Sequence, residues 1–187
     1  ISVAYESLLV SIHSKDEVEK DTWKTLHVKT KNLSGAHVTA TVSLSLKKLK
    51  SPDQIYRSRL WSKVDMPLWE KEEFHKQFPL DEFGDETNKL NWETEKTIWT
   101  KNVQSTEEGN IQVTAPAEDG WYVVEAKTTD AFGMEVIEKK FIRFFQVNDF
   151  SCLNSEMLRT HVSKETFEPG ETANLKMASP YEEVSLL

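Results

Sequence analysis

Asp119 to Phe145 reads DGWYVVEAKTTDAFGMEVIEKKFIRFF, and this stretch decides the fold. The chain leaves an Ala-Pro-Ala turn at Ala115 to Ala117, and from Gly120 onward Tyr122, Val124 and Ala126 alternate with Val123, Glu125 and Lys127. A period of two is that of a strand with one face on a core. Asp130 to Gly133 supplies a tight reversal in which glycine takes positive φ without steric penalty. The stretch is therefore expected to be two long strands folded back on one another. The second strand alternates less cleanly: Val136, Ile142 and Phe144 share one parity, while Ile137, Phe141 and Phe145 share the other. A bulge near Glu138 to Lys140, or burial on both faces by an inserted segment, would account for that.

Working outward, the cleanest strand lies upstream. Val38, Ala40, Val42, Leu44 and Leu46 fall on one side and His37, Thr39, Thr41, Ser43 and Ser45 on the other, a pattern no helix satisfies. Such an apolar face must meet a second sheet. Trp23 to Thr30 alternates likewise, with Leu26 and Val28 on one face, before Asn32 to Gly35 reverses the chain. Ser7 to Ile12 is apolar enough for a strand or for a link from a preceding domain, and Ser14 to Asp21 reads as a charged turn. Trp92 to Val103 and Ile111 to Ala115 supply two further strands, joined by the polar turn Ser105 to Asn110.

Between Lys47 and Trp92 the pattern changes. Ser51 and Pro52 break the strand, Gln54 to Trp61 fits no single period, and Trp69 to Phe78 reads as a short helix ended by Pro79. Trp69, Phe74 and Phe78 fall at helical spacing, which favours a helix laid on the sandwich by its aromatic face. Removing this insertion of about 45 residues leaves about 100, the size of a seven-stranded sandwich. After Gln146 the chain begins again: SerLysGluThrPheGlu at Ser163 to Glu168 echoes SerLysAspGluValGlu at Ser14 to Glu19, with Leu175 and Met177 standing where Leu26 and Val28 stand. The expected organisation is residues 1–147 as a sandwich carrying an insertion at about 47–92, then 148–187 as the start of a second, truncated module.

The 187 residues are 38% hydrophobic and 29% charged, enough for one good core and too few for two of full size. A formal charge of -8 argues against a nucleic-acid partner, since phosphates are neutralised by a clustered cationic surface. The basic run Lys47, Lys48 and Lys50 reads as a solvated strand end. No apolar stretch is long enough for a membrane helix, so no insertion by this piece is expected. Beginning at Ile1 without a charged and apolar leader, the chain is expected to be an excised piece of a longer protein. Cys152 is the only cysteine, which excludes an internal disulfide and a zinc ribbon.

No site of chemistry emerges from the motifs. GxSxG and HExxH are absent, and His13, His27, His37, His75 and His161 are scattered. His27 and His37 could approach one another across the first hairpin, but both fall on its solvent face with no carboxylate at metal-ligand spacing. Asp81, Glu82, Asp85 and Glu86 surround Gly84 in a loop that faintly suggests calcium yet lacks the alternating ligands of an EF-hand, so a solvated acidic loop is preferred. Catalytic residues, cofactors and metals are accordingly expected to be none. Trp23, Trp61, Trp69, Trp92, Trp99 and Trp121 raise one rival, a carbohydrate-binding or adhesive module with an exposed stacking platform, although packing is the commoner use of tryptophan.

Two resemblances add to this reading. The spacing Asp119, Gly120, Tyr122, Val124 resembles the tyrosine corner of immunoglobulin-like sandwiches, with Val124 in the place of the disulfide cysteine of antibody domains. FEPGET at Phe167 to Thr172 resembles the opening motif of macroglobulin domains, the fibronectin type III-like sandwiches strung along alpha-2-macroglobulin proteins. The first unit is similar to a longer macroglobulin domain of large members from Bacteroides-like bacteria. That likeness rests on Asn32, Gly35, LeuLysSerPro at Leu49 to Pro52, Arg57, Arg59, Trp61, Glu73, Phe74, Phe78, Pro79, Gly120, Tyr122, Asp130 and Gly133. It implies an all-β, immunoglobulin/fibronectin III-like sandwich serving as a non-catalytic structural module of a cell-envelope protein, periplasmic or lipoprotein-anchored. Its implied partners are neighbouring domains of the same chain and, through the full-length protein, proteases trapped after cleavage of a bait segment. The Cys-x-Glu-Gln thioester motif of many members is absent, because Leu153, Asn154 and Ser155 follow Cys152.

Overall fold

The computed structural model describes residues 7–57, 59, 66, 68–148, 150–153, 155–181 and 185; Trp61, Leu60 and the end of the stretch Gln54 to Trp61 lie outside the described residues. The elements in order are β1 (Leu8–His13), β2 (Glu17–Glu19), β3 (Thr25–Asn32), β4 (Thr41–Leu49), α1 (Lys71–Gln77), β5 (Thr94–Gln104), β6 (Asn110–Gln112), β7 (Gly120–Thr129), β8 (Glu135–Phe145), β9 (Arg159–Val162) and β10 (Leu175–Ala178). Contacts divide the chain into two units, Ile1–Lys50 with Glu93–Val147 and Ser51–Trp92 with Asn148–Leu187.

The first unit is a β-sandwich. One sheet has the order β1-β3-β6 and the other β2-β8-β7-β4-β5. With β2 as an edge addition, seven strands remain, and the first, second and fifth face the third, fourth, sixth and seventh, the arrangement of an immunoglobulin/fibronectin type III-like sandwich. Alternation in sequence becomes alternation in burial. Leu26 and Val28 from one sheet, and Val42, Leu44, Leu46, Tyr122, Val124, Ala126, Ile142 and Phe144 from the other, are all fully buried in one cluster. Each valine, leucine, isoleucine or phenylalanine so removed from water contributes about 1.5–3 kcal/mol. Trp23 closes the core by an edge contact with Phe144, ring centroids 4.7 Å apart, and by stacking with Trp99 at 6.4 Å.

The opening hairpin forms as expected, with Gly133 at φ 82° in its turn. Of the two explanations for the mixed parity of β8, the bulge near Glu138 to Lys140 is absent: β7 and β8 pair without interruption from Gly120 opposite Phe144 to Thr129 opposite Glu135. Mixed parity in β8 comes instead from burial on both faces, since Arg143 and Phe145 are buried together with Val123 and Glu125 on the side away from the core. The bulges lie between β4 and β5, where register slips at Leu46/Lys47 and at Lys48/Leu49. Two other expectations also shift. The strand read from Val38 starts at Thr41, because Val38 and Ala40 bond to Thr30 and to Ser105 rather than in the ladder of β4. Part of the charged turn Ser14 to Asp21 is the short parallel strand β2, laid beside Arg143 to Phe145.

In the second unit α1 spans seven residues rather than the ten of Trp69 to Phe78. Trp69, Phe74 and Phe78 cluster as their spacing suggests, and Phe83 joins them with its ring 5.3 Å from that of Phe74. β9 and β10 form an antiparallel ribbon with Leu175 opposite Val162 and Met177 opposite Thr160.

Candidate functional site

The first unit is tied at both poles of the sandwich. At the upper pole, the β7–β8 turn, Asp130 is a clamp. Its Oδ2 accepts hydrogen bonds from the Ser7 backbone N–H at 3.2 Å and the Ser7 hydroxyl at 2.9 Å, and its Oδ1 accepts from the backbone N–H of Phe132 at 2.8 Å and of Met134 at 2.9 Å. Donors from Met134, and then from Ser7 and Phe132, hold its carboxyl down at about 2.

At the lower pole, Tyr122 donates its hydroxyl to the carbonyl oxygen of Glu118 at 2.9 Å, the bond that defines a tyrosine corner. Burial pushes the phenol up to about 12. The Glu118 carboxylate is gripped by Lys48 and Lys96, each at 2.5 Å, and these ammonium groups, Lys48 first, hold it at about 2. Asp119 accepts from the Gln146 backbone N–H at 3.1 Å and pairs with Lys20 at 2.6 Å. The chain thus joins the sandwich at one pole and leaves it at the other. Eleven-residue β8 runs between them, a span of about 35 Å.

The residues singled out by sequence are mostly engaged in structural bonds. In the acidic loop, Asp81 pairs with Arg57 at 2.6 Å, Glu82 caps Thr87, and Glu86 accepts from the Gly84 N–H while pairing with Lys71 at 3.0 Å. The carbonyl oxygens of Glu82, Phe83 and Gly84 converge on Nη2 of Arg59, so a guanidinium fills the place a cation would take. Burial pushes the Glu86 carboxyl up, and Lys71 together with backbone N–H donors more than offsets it, so the carboxyl is lowered. His27 lies opposite His13, whereas His37 bridges to Lys31, so the register does not bring His27 to His37. His75 sits among the rings of Tyr56, Phe74 and Phe83, and His161 lies beside Phe150. Cys152 approaches the Glu156 carbonyl at 3.4 Å. Among the described residues no three His, Cys, Asp or Glu side chains gather as a metal site.

The described tryptophans do not make a platform. Trp23 is buried against Trp99, whose Nε1 donates to the Thr114 carbonyl at 3.0 Å, and Trp92 donates to the Glu86 carbonyl at 2.7 Å. Trp69 is the one well-exposed ring among them, tilted against Phe78, and Trp121 is half-buried. Among the described residues no helix is long and apolar enough to cross a membrane.

Sequence reasoning missed a cleft of about 920 Å³ at the upper pole. Its floor is set by the register of three strands: Asn102 on β5, Ser43 on β4 and Lys127 on β7 stand side by side, with Thr41 and Thr129 on the same face one step above. Phe132 flanks it, 80% exposed at the tip of the turn that Asp130 clamps. The only sequence signal was the small polar character of that strand face.

No family model matches the chain, and no curated protein matches it. Among solved structures, the PmoD soluble domain from Methylocystis sp. ATCC 49242 (Rockwell) aligns with 77% of this chain and 95% of its own length, at 14% identity and a TM-score of 0.33. Similarity at that level assigns neither family nor function.

Proposed function

We propose that this chain is a non-catalytic structural module of a large alpha-2-macroglobulin-like protein of the cell envelope, contributing to protease trapping by the whole molecule. The observation that carries the reading is the polar arrangement of the first unit. Ser7 is fastened to Asp130 at one end and Gln146 to Asp119 at the other. A domain that takes in the chain at one pole and releases it at the opposite one passes position and force along a string, as a spacer must.

The ribbon β9–β10 gives further support. Val162 and Leu175 lie opposite one another, and with Met177 they are about half-exposed, whereas Leu26 and Val28 at the echoed positions are fully buried. An apolar ribbon in the place where the first unit has one of its buried strand pairs fits the beginning of a like module. The resemblance carried by FEPGET supports reading that module as one of a macroglobulin series.

The test uses the full-length parent protein mixed with a broad-specificity protease. The expected result is compaction on cleavage, read by small-angle scattering, with the captured protease still cleaving small substrates but shielded from large ones. Cleavage without compaction, or no shielding, overturns the trapping role. A hydrolase activity that maps to this chain overturns the scaffold reading itself.

A further inference from the structure

The cleft at the upper pole has a chemistry that a spacer does not require. Its floor is a grid of side chains on the outer face of the five-stranded sheet, in which Asn102, Ser43 and Lys127 are lateral neighbours on three adjoining strands. Adjoining strands lie about 4.8 Å apart, close to the length of one pyranose ring. The hydroxyls of Ser43 and Thr129 and the amide of Asn102 donate and accept alike, as sugar hydroxyls do. None of the three spends its side chain on a hydrogen bond to a described residue.

The charged groups of the cleft are mostly engaged within the fold. Lys127 faces the Glu125 carboxylate at 3.5 Å, Asp130 is saturated by its four donors, and Glu135 remains as the acid opposite Thr129. With its one lysine already paired the cleft repels an anion, and Glu135 alone offers a cation a single contact, so a neutral ligand that uses the uncharged floor suits it better. Peptide addition to a sheet uses the backbone along a strand edge, whereas the floor of the cleft presents side chains from the sheet face.

Phe132 completes the set. Its ring stands 80% exposed, yet its backbone is fixed by the bond from its N–H to Asp130. A solvent-facing aromatic held on a rigid turn is pre-organised for contact, because little freedom remains to be lost on binding. The apolar face of a sugar ring stacks on such a side chain while the hydroxyls at its rim reach the polar floor.

We propose that this cleft binds a neutral oligosaccharide, with Phe132 as the stacking platform and Asn102, Ser43 and Thr129 as the hydrogen-bonding floor. The site is independent of the spacer role and involves none of the tryptophans.

The experiment titrates the 187-residue chain with cellotriose, mannotriose, maltotriose and chitotriose, followed by amide chemical shifts. At least one trisaccharide is expected to shift the resonances of Ser43, Asn102, Thr129 and Phe132 with a Kd of about 1 mM or tighter. Phe132→Ala and Asn102→Ala are each expected to weaken that binding about tenfold, roughly 1.4 kcal/mol, with unchanged melting temperature because both positions lie on the outer surface. The proposal is overturned if no neutral sugar shifts these resonances at about 10 mM. It is equally overturned if the shifts fall on the tryptophans instead, if only charged sugars or peptides bind, or if Phe132→Ala binds like the parent.

Discussion

The Tyr122 hydroxyl lies 2.9 Å from the carbonyl oxygen of Glu118, and the side chain of that same Glu118 is held between Lys48 and Lys96. One residue therefore anchors the turn into β7 twice. Its backbone ties to the strand that follows, and its carboxylate ties to β4 and β5. Tyr122 also meets Phe144 edge-on at 5.4 Å in the core. Tyr122→Phe keeps the ring and removes the bond, so urea unfolding should show a loss of about 1 kcal/mol. Tyr122→Ala removes both and should cost about 3–5 kcal/mol. Equal losses from the two variants would mean that the hydroxyl contributes everything and the ring nothing.

Acid should weaken the first unit through two carboxylates that differ in kind. Asp130 and Glu118 both titrate at about 2 in the folded chain, below the ordinary range of about 4 in the unfolded one. Stability from each is thus complete above the unfolded value and is lost as pH falls toward 2. Asp130 is held by N–H and hydroxyl donors, whereas Glu118 is a half-exposed carboxylate held by two ammonium groups, the half-buried Lys48 and the exposed Lys96. Salt at about 1 M screens the second and spares the first. Unfolding midpoints between pH 5 and 2 should accordingly fall less steeply in Asp130→Asn at any salt, whereas Glu118→Gln should flatten the curve only at low salt.

The chain's legibility follows the range of the interactions. Alternation made the β7–β8 hairpin and Val42, Leu44 and Leu46 readable, because a period of two is local and a buried face must keep it. The tyrosine corner was readable because its bond spans four residues. The Asp130 clamp was not, since its second partner, Ser7, is 123 residues away. Nor was β2, three residues with no pattern of their own that pair only because Arg143 to Phe145 offer an edge. The loop around Gly84 read as a solvated acidic loop, and the cation that fills it, Arg59, was not legible because it comes from over twenty residues upstream. The cleft needed the lateral order β5-β4-β7 to put Asn102 beside Ser43, and sequence proximity says nothing of that.

Gly109 is a stricter requirement than the other turn glycines. It has φ +73°, and a Cβ there would stand 2.6 Å from the Val28 carbonyl oxygen and 2.9 Å from Cγ of Lys29. Its own carbonyl accepts from the Val28 N–H at 2.9 Å, so the backbone cannot retreat without losing that bond. Gly35, at φ +86°, has nothing within 4 Å of the same position. Gly35→Ala should cost only the left-handed penalty of about 1–2 kcal/mol. Gly109→Ala should exceed it, adding a displaced strand and a loss of about 1 kcal/mol from the broken bond. Matching thermal shifts for the two variants would show that β3 yields at Val28.

Leu26 and Leu175 occupy echoed positions in the two strand pairs, and the structure gives them opposite surroundings. Leu26 is fully buried between the two sheets; Leu175 is 50% exposed on β10, with Val162 opposite it. Truncating a leucine costs its transfer free energy plus a cavity where neighbours close around it, and almost nothing where water already reaches it. In the 187-residue chain, Leu26→Ala should therefore lower stability by about 2–5 kcal/mol, and Leu175→Ala by no more than about 0.5 kcal/mol. In the full-length parent, where the spacer reading supplies a facing sheet, Leu175→Ala should rise toward the Leu26 value, read as faster proteolysis near β10. A Leu175 effect that stays negligible in the parent would mean that the ribbon faces water there too, and the second module would not be a sandwich of the first kind.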